Sequence, residues 1–366
     1  MTGPAVARSR ARSGGRSGGR SGGRSGARPL RVLQSVKPPS AQTNPYVVRL
    51  VESLRAEGLD VRWFGAPAGV LGRYDVFHAH WPEVMMRRDA RAARLAARAR
   101  FVLLMLRLQA DRRIAVVRTL HNLAAHESAS RVERLLLGWF DRRTDAWVAL
   151  NGTTPVPDPA RGTVVPHGDY RDWFAGHEVP PAVRGRLLYF GLIRPYKGVD
   201  RLLETFAAVP GDDLSLHVVG RPSAPALRSQ VEAAAAADPR VTALLDYVGD
   251  EALAREVGEA ELVVLPYEDM HNSGALLLAL SLGRPVLVPS AAVTEALAAE
   301  VGPRWVPTYP GELTPDAVRK ALDGARGLAG APDLSRRSWP LIAREHAAVY
   351  RAAVAGRRSR RRRPAA

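Results

Sequence analysis

The sequence predicts an α/β protein built from two doubly wound parallel sheets in tandem. Three observations predict it. Short runs rich in branched and aromatic residues alternate with stretches whose apolar residues recur at helical spacing. The alternation runs its course twice, with a Pro- and Gly-rich stretch at 159–185 between the two series. The chain of 366 residues, 46% hydrophobic, is too long for one core and apolar enough for two.

In the first series LRVLQSV (30–36) reads as a strand and NPYVVRLVESLRAEG (44–58) as an amphipathic helix. VRWFGA (61–66), YDVFHAH (74–80), IAVVRTLHN (114–122) and DAWVALN (145–151) read as further strands, with helical patterns between most of them. The second series is GRLLYFGLI (185–193), LSLHVVG (214–220), VTALLDYVG (241–249), ELVVLP (261–266) and RPVLVP (284–289), with VDRLLETFAAV and SGALLLALSLG as intervening helices. The expected organisation is therefore a first sheet domain at 29–165, a linker at 166–184, a second sheet domain at 185–335, and a C-terminal helix at 336–356. A tail precedes them at 1–28 and a basic tail follows at 357–366.

The net charge of +17 belongs to those tails. Seven arginines and no acid lie in residues 1–28, and six more arginines lie in 357–363, which leaves +4 for the remainder. The repeat RSGGRSGGRSGGRSG has nothing to bury and is expected to be disordered. It lacks the apolar stretch of a secretory signal, and no run reaches the roughly 20 apolar residues needed to span a bilayer. The chain has no cysteine, which excludes disulfides, thiolate metal sites and cysteine nucleophiles.

Ligands of open parallel sheets bind outside the carboxyl ends of the strands, so two facing sheets would share one cleft. Two loops in the second domain suit an anion there. In FGLIRPYKG, Gly191 and Gly198 let the backbone turn tightly, Arg194 offers paired donors, and Lys197 adds a compact charge at a helix start. In LPYEDMHNSGALLLALSLG, Asn272, Ser273 and Gly274 open a helix that is apolar all round, and its N-terminus would face the cleft. The plainer alternatives are a solvated lysine and an ordinary Asn or Ser cap. Together the two loops fit a diphosphate.

YFGLIRPYKGVDRLLETF, followed by LHVVGRP, DYVGDEAL, LVVLPYED and SGALLLALSLGRPVLVPS, resembles the C-terminal half of a GT-B glycosyltransferase close to glycosyltransferase family 4. The resemblance covers about 185–325, and TLHN, HWPE and PHGDYRDWF extend it more weakly towards bacterial mannosyltransferases of polysaccharide and glycolipid assembly. It implies the GT-B fold, two facing Rossmann-like sheets with the active site between them. It implies a nucleotide-sugar donor, best matched by GDP-mannose, and a lipid-linked or glycan acceptor, with no metal cofactor. Lys197 falls on the family's diphosphate lysine, while Leu192 stands where the family has arginine, so Arg194 is the substitute. Met270 and Leu278 stand where many members carry a pair of glutamates, which leaves retaining and inverting chemistry both open. Tyr267 and Glu268, with Gly220 and Arg221, are assigned to the donor sugar or base, and Asp269 is a local alternative to Glu268.

An inverting transferase needs a general base for the acceptor hydroxyl. The candidates are His121, Glu83 and His80, with Asp75 and Glu127 behind them. His121 follows a strand and, by the resemblance, matches the histidine that touches the donor sugar; the alternative is a capping or core histidine. The stretch 85–113 carries nine arginines and two aspartates, with Leu95, Ala99, Val102, Leu103 and Leu106 as an apolar stripe. That stripe either packs on the sheet or meets an anionic membrane. The expected location is cytoplasmic, with a peripheral place at the inner membrane face. Two other classes compete: a sugar-nucleotide epimerase or hydrolase of the same fold, and a non-enzymatic basic protein that binds nucleic acid or membrane. The near-neutral body carries no nucleic-acid recognition motif.

Overall fold

The computed structural model describes residues 28–40, 43–121, 130–268 and 270–362. The first tail, up to residue 27, and the candidates Glu127 and Asp269 lie outside the described residues.

The N-terminal unit runs β1 (Arg31–Gln34), α1 (Pro45–Ala56), β2 (Asp60–Arg62), α2 (Ala66–Leu71), β3 (Val76–Ala79), α3 (Arg91–Ala110), β4 (Ala115–Leu120), α4 (Arg131–Arg143), β5 (Ala146–Ala149) and β6 (Gly162–Val164). A short helix, α5 (Arg171–Phe174), lies in the connection. The second unit runs β7 (Arg186–Phe190), α6 (Val199–Ala207), β8 (Ser215–Val219), α7 (Pro225–Ala237), β9 (Val241–Leu244), α8 (Asp250–Glu259), β10 (Leu262–Val264), α9 (Gly274–Ser281), β11 (Val286–Pro289), α10 (Ala292–Val301), β12 (Thr308–Tyr309) and α11 (Pro315–Ala325). The long α12 (Trp339–Arg362) closes the chain.

Each unit holds a six-stranded parallel sheet, in the orders β2-β1-β3-β4-β5-β6 and β12-β11-β10-β7-β8-β9. The edge strands β6 and β12 escape the sequence pattern because β6 is largely exposed and carries no apolar run, and β12 is only two residues long. Successive strand residues of the first sheet feed opposite cores. Val32, Val76 and Val117 pack with α1 and α12, whereas Leu33, Phe77 and Val116 pack with α3 and α4. The connection is packed as well, since Tyr170 and Phe174 belong to the second unit's core.

One expectation is revised, and one open alternative is narrowed. First, α12 does not stop at 356 but continues through Arg362, so most of the expected basic tail is helix. Arg357 and Arg360 reach the buried carboxylate of Asp145 at 2.7 and 2.9 Å, and Arg143 holds it from the other side at 2.9 Å. These charge-assisted contacts tie the last described turns to the first sheet. Second, α3 packs through Ala97, Phe101, Leu104, Met105 and Leu108, one face of a helix. The stripe read from the sequence lies on a different face: Leu95, Leu103 and Leu106 are 59, 53 and 52% exposed.

Candidate active site

The strand order reverses at β7/β10 in the second sheet and at β1/β3 in the first, and ligands of open sheets bind at such switch points. The loop after β7 runs from Gly191 to Gly198, with a turn of 3-10 helix at Pro195–Lys197, and the loop after β10 runs to Ser273. Both anion-loop candidates therefore flank one crevice.

The two loops are in direct contact. Gly198 adopts φ +63°, and a Cβ there would lie 2.3 Å from the Pro266 carbonyl oxygen, so only glycine allows the approach. The Glu268 backbone N–H donates to the Tyr196 carbonyl at 2.9 Å. Lys197 Nζ donates to the Tyr267 hydroxyl at 3.1 Å and lies 4.6 Å from that ring's centroid. Burial, reinforced by the charge of Arg194, lowers the Lys197 pKa to about 8. The Arg194 side chain has no hydrogen-bond or ion-pair partner among the described residues. Two cations thus sit in the loop after β7 without a carboxylate against them. Ser273 caps α9 by accepting from the Leu276 N–H at 3.2 Å, and Gly274 begins the helix. Gly220 brings the loop after β8 against the first: a Cβ there would meet the Gly191 carbonyl oxygen at 1.9 Å.

The other candidates from this half are placed as follows. Glu268 is half exposed and pairs with Arg201 at 3.1 Å. Arg221 is exposed. Asn272, expected on the diphosphate, instead spans the units: its Nδ2 donates to the His121 carbonyl at 3.1 Å and its Oδ1 accepts from Asn151 Nδ2 at 2.8 Å. Met270 and Leu278 are buried apolar groups, so neither position supplies a carboxylate.

On the facing side, β3 and β4 deliver His80 and His121 to the same edge, with His80 Nδ1 3.0 Å from His121 Nε2. Gln34, the last residue of β1, places its Oε1 2.9 Å from His80 Nε2. A carbonyl oxygen only accepts, so His80 carries its proton on Nε2 and accepts on Nδ1. His121 then donates from Nε2 and keeps its lone pair on Nδ1. Burial pushes the His80 ring down to about 3 and holds His121 well below the usual histidine range, so both are neutral at pH 7. Trp81 stacks on His121 with centroids 4.1 Å apart.

Glu83 sits in the 3-10 turn Pro82–Met85 that follows β3 and is only 5% exposed. Its carboxylate has no ion pair or hydrogen bond among the described residues. Asp75 is removed from consideration, because it precedes β3 at the opposite end of the sheet and is tied to Arg28 and Arg31. Among the described residues no group of three or more His, Cys, Asp or Glu is arranged to hold a metal ion.

Sequence reasoning missed Gln34 and Asn151. A glutamine that ends a buried strand was the available signal for the first. Asn151, in the loop after β5, could be found only by knowing what faces it.

Residues 184–323 match the family of glycosyl transferases group 1. The chain is 49% identical over 323 residues to the GDP-mannose:glycolipid 4-beta-D-mannosyltransferase of Xanthomonas campestris pv. campestris, covering 88% of this chain and 92% of that protein. Among solved structures it resembles sucrose-phosphate synthase from Thermosynechococcus elongatus, with TM-score 0.60, 18% identity, and coverage of 90 and 100% of the two chains. It also resembles WaaG, a glycosyltransferase involved in lipopolysaccharide biosynthesis, with TM-score 0.54, 15% identity, and coverage of 90 and 98%. These two show the fold, which is GT-B. The chain is a glycosyltransferase, and it belongs to the family of the Xanthomonas enzyme.

Proposed function

We propose that the protein transfers mannose from GDP-mannose to a glycolipid acceptor and forms a β-mannoside. The observation that carries this is the 49% identity, over 88% of the chain, to an enzyme named for that reaction. A β-product from an α-linked donor requires inversion, and therefore a base on the acceptor side.

The second unit, 185–335, holds the donor, with Lys197, Arg194 and the start of α9 on the diphosphate. The first unit, 29–165, holds the acceptor, with 166–184 as the linker. Glu83 is the base: no donor group occupies its carboxylate, and it lies two residues after Trp81 in the turn that follows β3 at the switch point. It takes the acceptor hydroxyl proton as that oxygen bonds to the sugar's anomeric carbon, while the bond to the diphosphate breaks. GDP departs carrying the electron pair, and the cations and free N–H groups of the two loops stabilise the growing charge. His121 accepts a sugar hydroxyl at its free Nδ1, and His80 is a positioning residue that fixes this tautomer. Gly220 and Arg221, with Tyr267, border the sugar or base.

A cytoplasmic place at the inner membrane face is supported by the exposed Leu95, Leu103 and Leu106 on a helix carrying Arg91, Arg94, Arg98, Arg100 and Arg107. Among the described residues no helix is long and apolar enough to cross a membrane. The test is incubation of the full chain with GDP-mannose and a glycolipid, followed by assignment of the new linkage by NMR. A β-mannosyl product is expected. An α-linked product, or transfer only from a UDP-sugar, refutes the proposal.

A further inference from the structure

A cavity of about 660 Å³ opens at the carboxyl edge of the first sheet. Its walls come from the loops after β1 and β2, from α2, from the turn after β3, and from α3. The lining is mainly apolar, including Val36, Phe64, Val70, Val84 and Phe101. Three cations, Lys37, Arg88 and Arg100, also line it, and no Asp or Glu does. Arg88 donates only to main-chain carbonyls, and Lys37 and Arg100 have no side-chain partner among the described residues. Trp81 is a wall of this groove and at the same time stacks on His121, so the cavity reaches the reaction site through one indole ring. Val84, in its lining, is 57% exposed.

An apolar trough with uncompensated positive charge fits an amphiphile with one hydrocarbon chain and a phosphate. We infer that this groove binds the lipid end of the acceptor, with the chain against Phe64, Val70 and Phe101 and the phosphate on Lys37, Arg88 and Arg100. The inference rests on the glycolipid-acceptor proposal and adds where the lipid lies. Holding the chain there would leave the sugar end at Trp81 and His121.

Binding of dodecyl phosphate, below its micelle concentration, to the full chain tests this by calorimetry, with inorganic phosphate and dodecanol as separate arms. Dodecyl phosphate is expected to bind at least tenfold tighter than either. The paired change Lys37→Glu and Arg100→Glu should weaken it at least tenfold. Ala66→Trp, at an exposed lining position, should do the same by filling the groove. GDP affinity should be unchanged in both variants. In turnover, KM for a lipid-linked acceptor should rise at least tenfold, with no change for the same glycan lacking its lipid.

Equal binding of dodecyl phosphate and inorganic phosphate overturns the inference. So does binding that neither variant alters, or an equal loss of turnover on the lipid-free glycan. Dodecyl phosphate binding that responds to the variants, in a protein that transfers no mannose, would uphold the groove while refuting the proposed reaction.

Discussion

Replacing Lys197 with methionine should make the empty protein more stable and the enzyme worse. In the folded chain the ammonium is held mostly away from water, and its pKa falls from the ordinary 10.5 to about 8, chiefly by burial and secondarily by Arg194. In the unfolded chain it returns to the ordinary value. Between those two values the unfolded state binds more protons, so this group makes stability rise with pH across that window. Below about pH 8 both states are protonated and the folded state carries the full cost of a desolvated charge. At 1.36 kcal/mol per unit the shift corresponds to about 3 kcal/mol, and partial exposure reduces the expected figure to about 2 kcal/mol. Lys197→Met should therefore unfold at higher urea concentration than the parent at pH 7. The difference should shrink towards zero by about pH 10.5, because the parent alone gains stability over that range. GDP-mannose should reverse the order, since the variant lacks a charge-assisted phosphate contact of about 2 kcal/mol, roughly thirtyfold in affinity. Urea melts at several pH values, with and without the donor, provide the measurement. A parent-minus-variant difference that stays flat from pH 7 to 10.5, combined with equal donor affinity, would refute both the desolvation account and the phosphate role.

Glu83→Gln should lower turnover at least a hundredfold while calorimetric affinity for GDP-mannose stays within about twofold, as expected for loss of a general base. Gly220→Ala should destabilise the fold by about 1–3 kcal/mol, read from chemical unfolding, because φ is +145° and the added Cβ meets the Gly191 carbonyl oxygen. The unfolding free energy should fall as pH drops below about 6.5, since His80, His167 and His346 are buried neutral with pKa values of about 3, 4 and 4. Their unfolded forms take up protons first, so the loss runs from 6.5 down through those values; a urea midpoint constant from pH 7 to 4 would contradict it.

Much of this architecture is legible in the sequence because the central parallel strands are buried on both faces and read as unbroken apolar runs, as in Leu187–Phe190 of β7 and in β10. Strands too short to form a run, such as β12, leave no such trace. The backbone of the two loops after β7 and β10 is similarly readable, because Gly191 to Gly198 and Ser273 to Gly274 are local stretches whose composition states their turns, whereas the engagement of Asn272 with His121 and Asn151 is not. The acceptor side is not. His80 is interpretable only through Gln34 and His121, which lie 46 and 41 residues away along the chain. The stripe on α3 leaves packing and membrane contact both open for a related reason: a helix with apolar residues on two faces gives no sign of which face the sheet will take.

The route of α12 sets the order in which the molecule can be completed. The first sheet made on the ribosome leaves one face bare of Trp339, Ile342, Tyr350 and Val354, which are translated after the entire second unit. The N-terminal half must therefore wait with an uncovered apolar surface until the last turns of the chain return to it. A fragment ending near residue 335 should be recovered as aggregate, and addition of a peptide spanning 339–362 during refolding should rescue it.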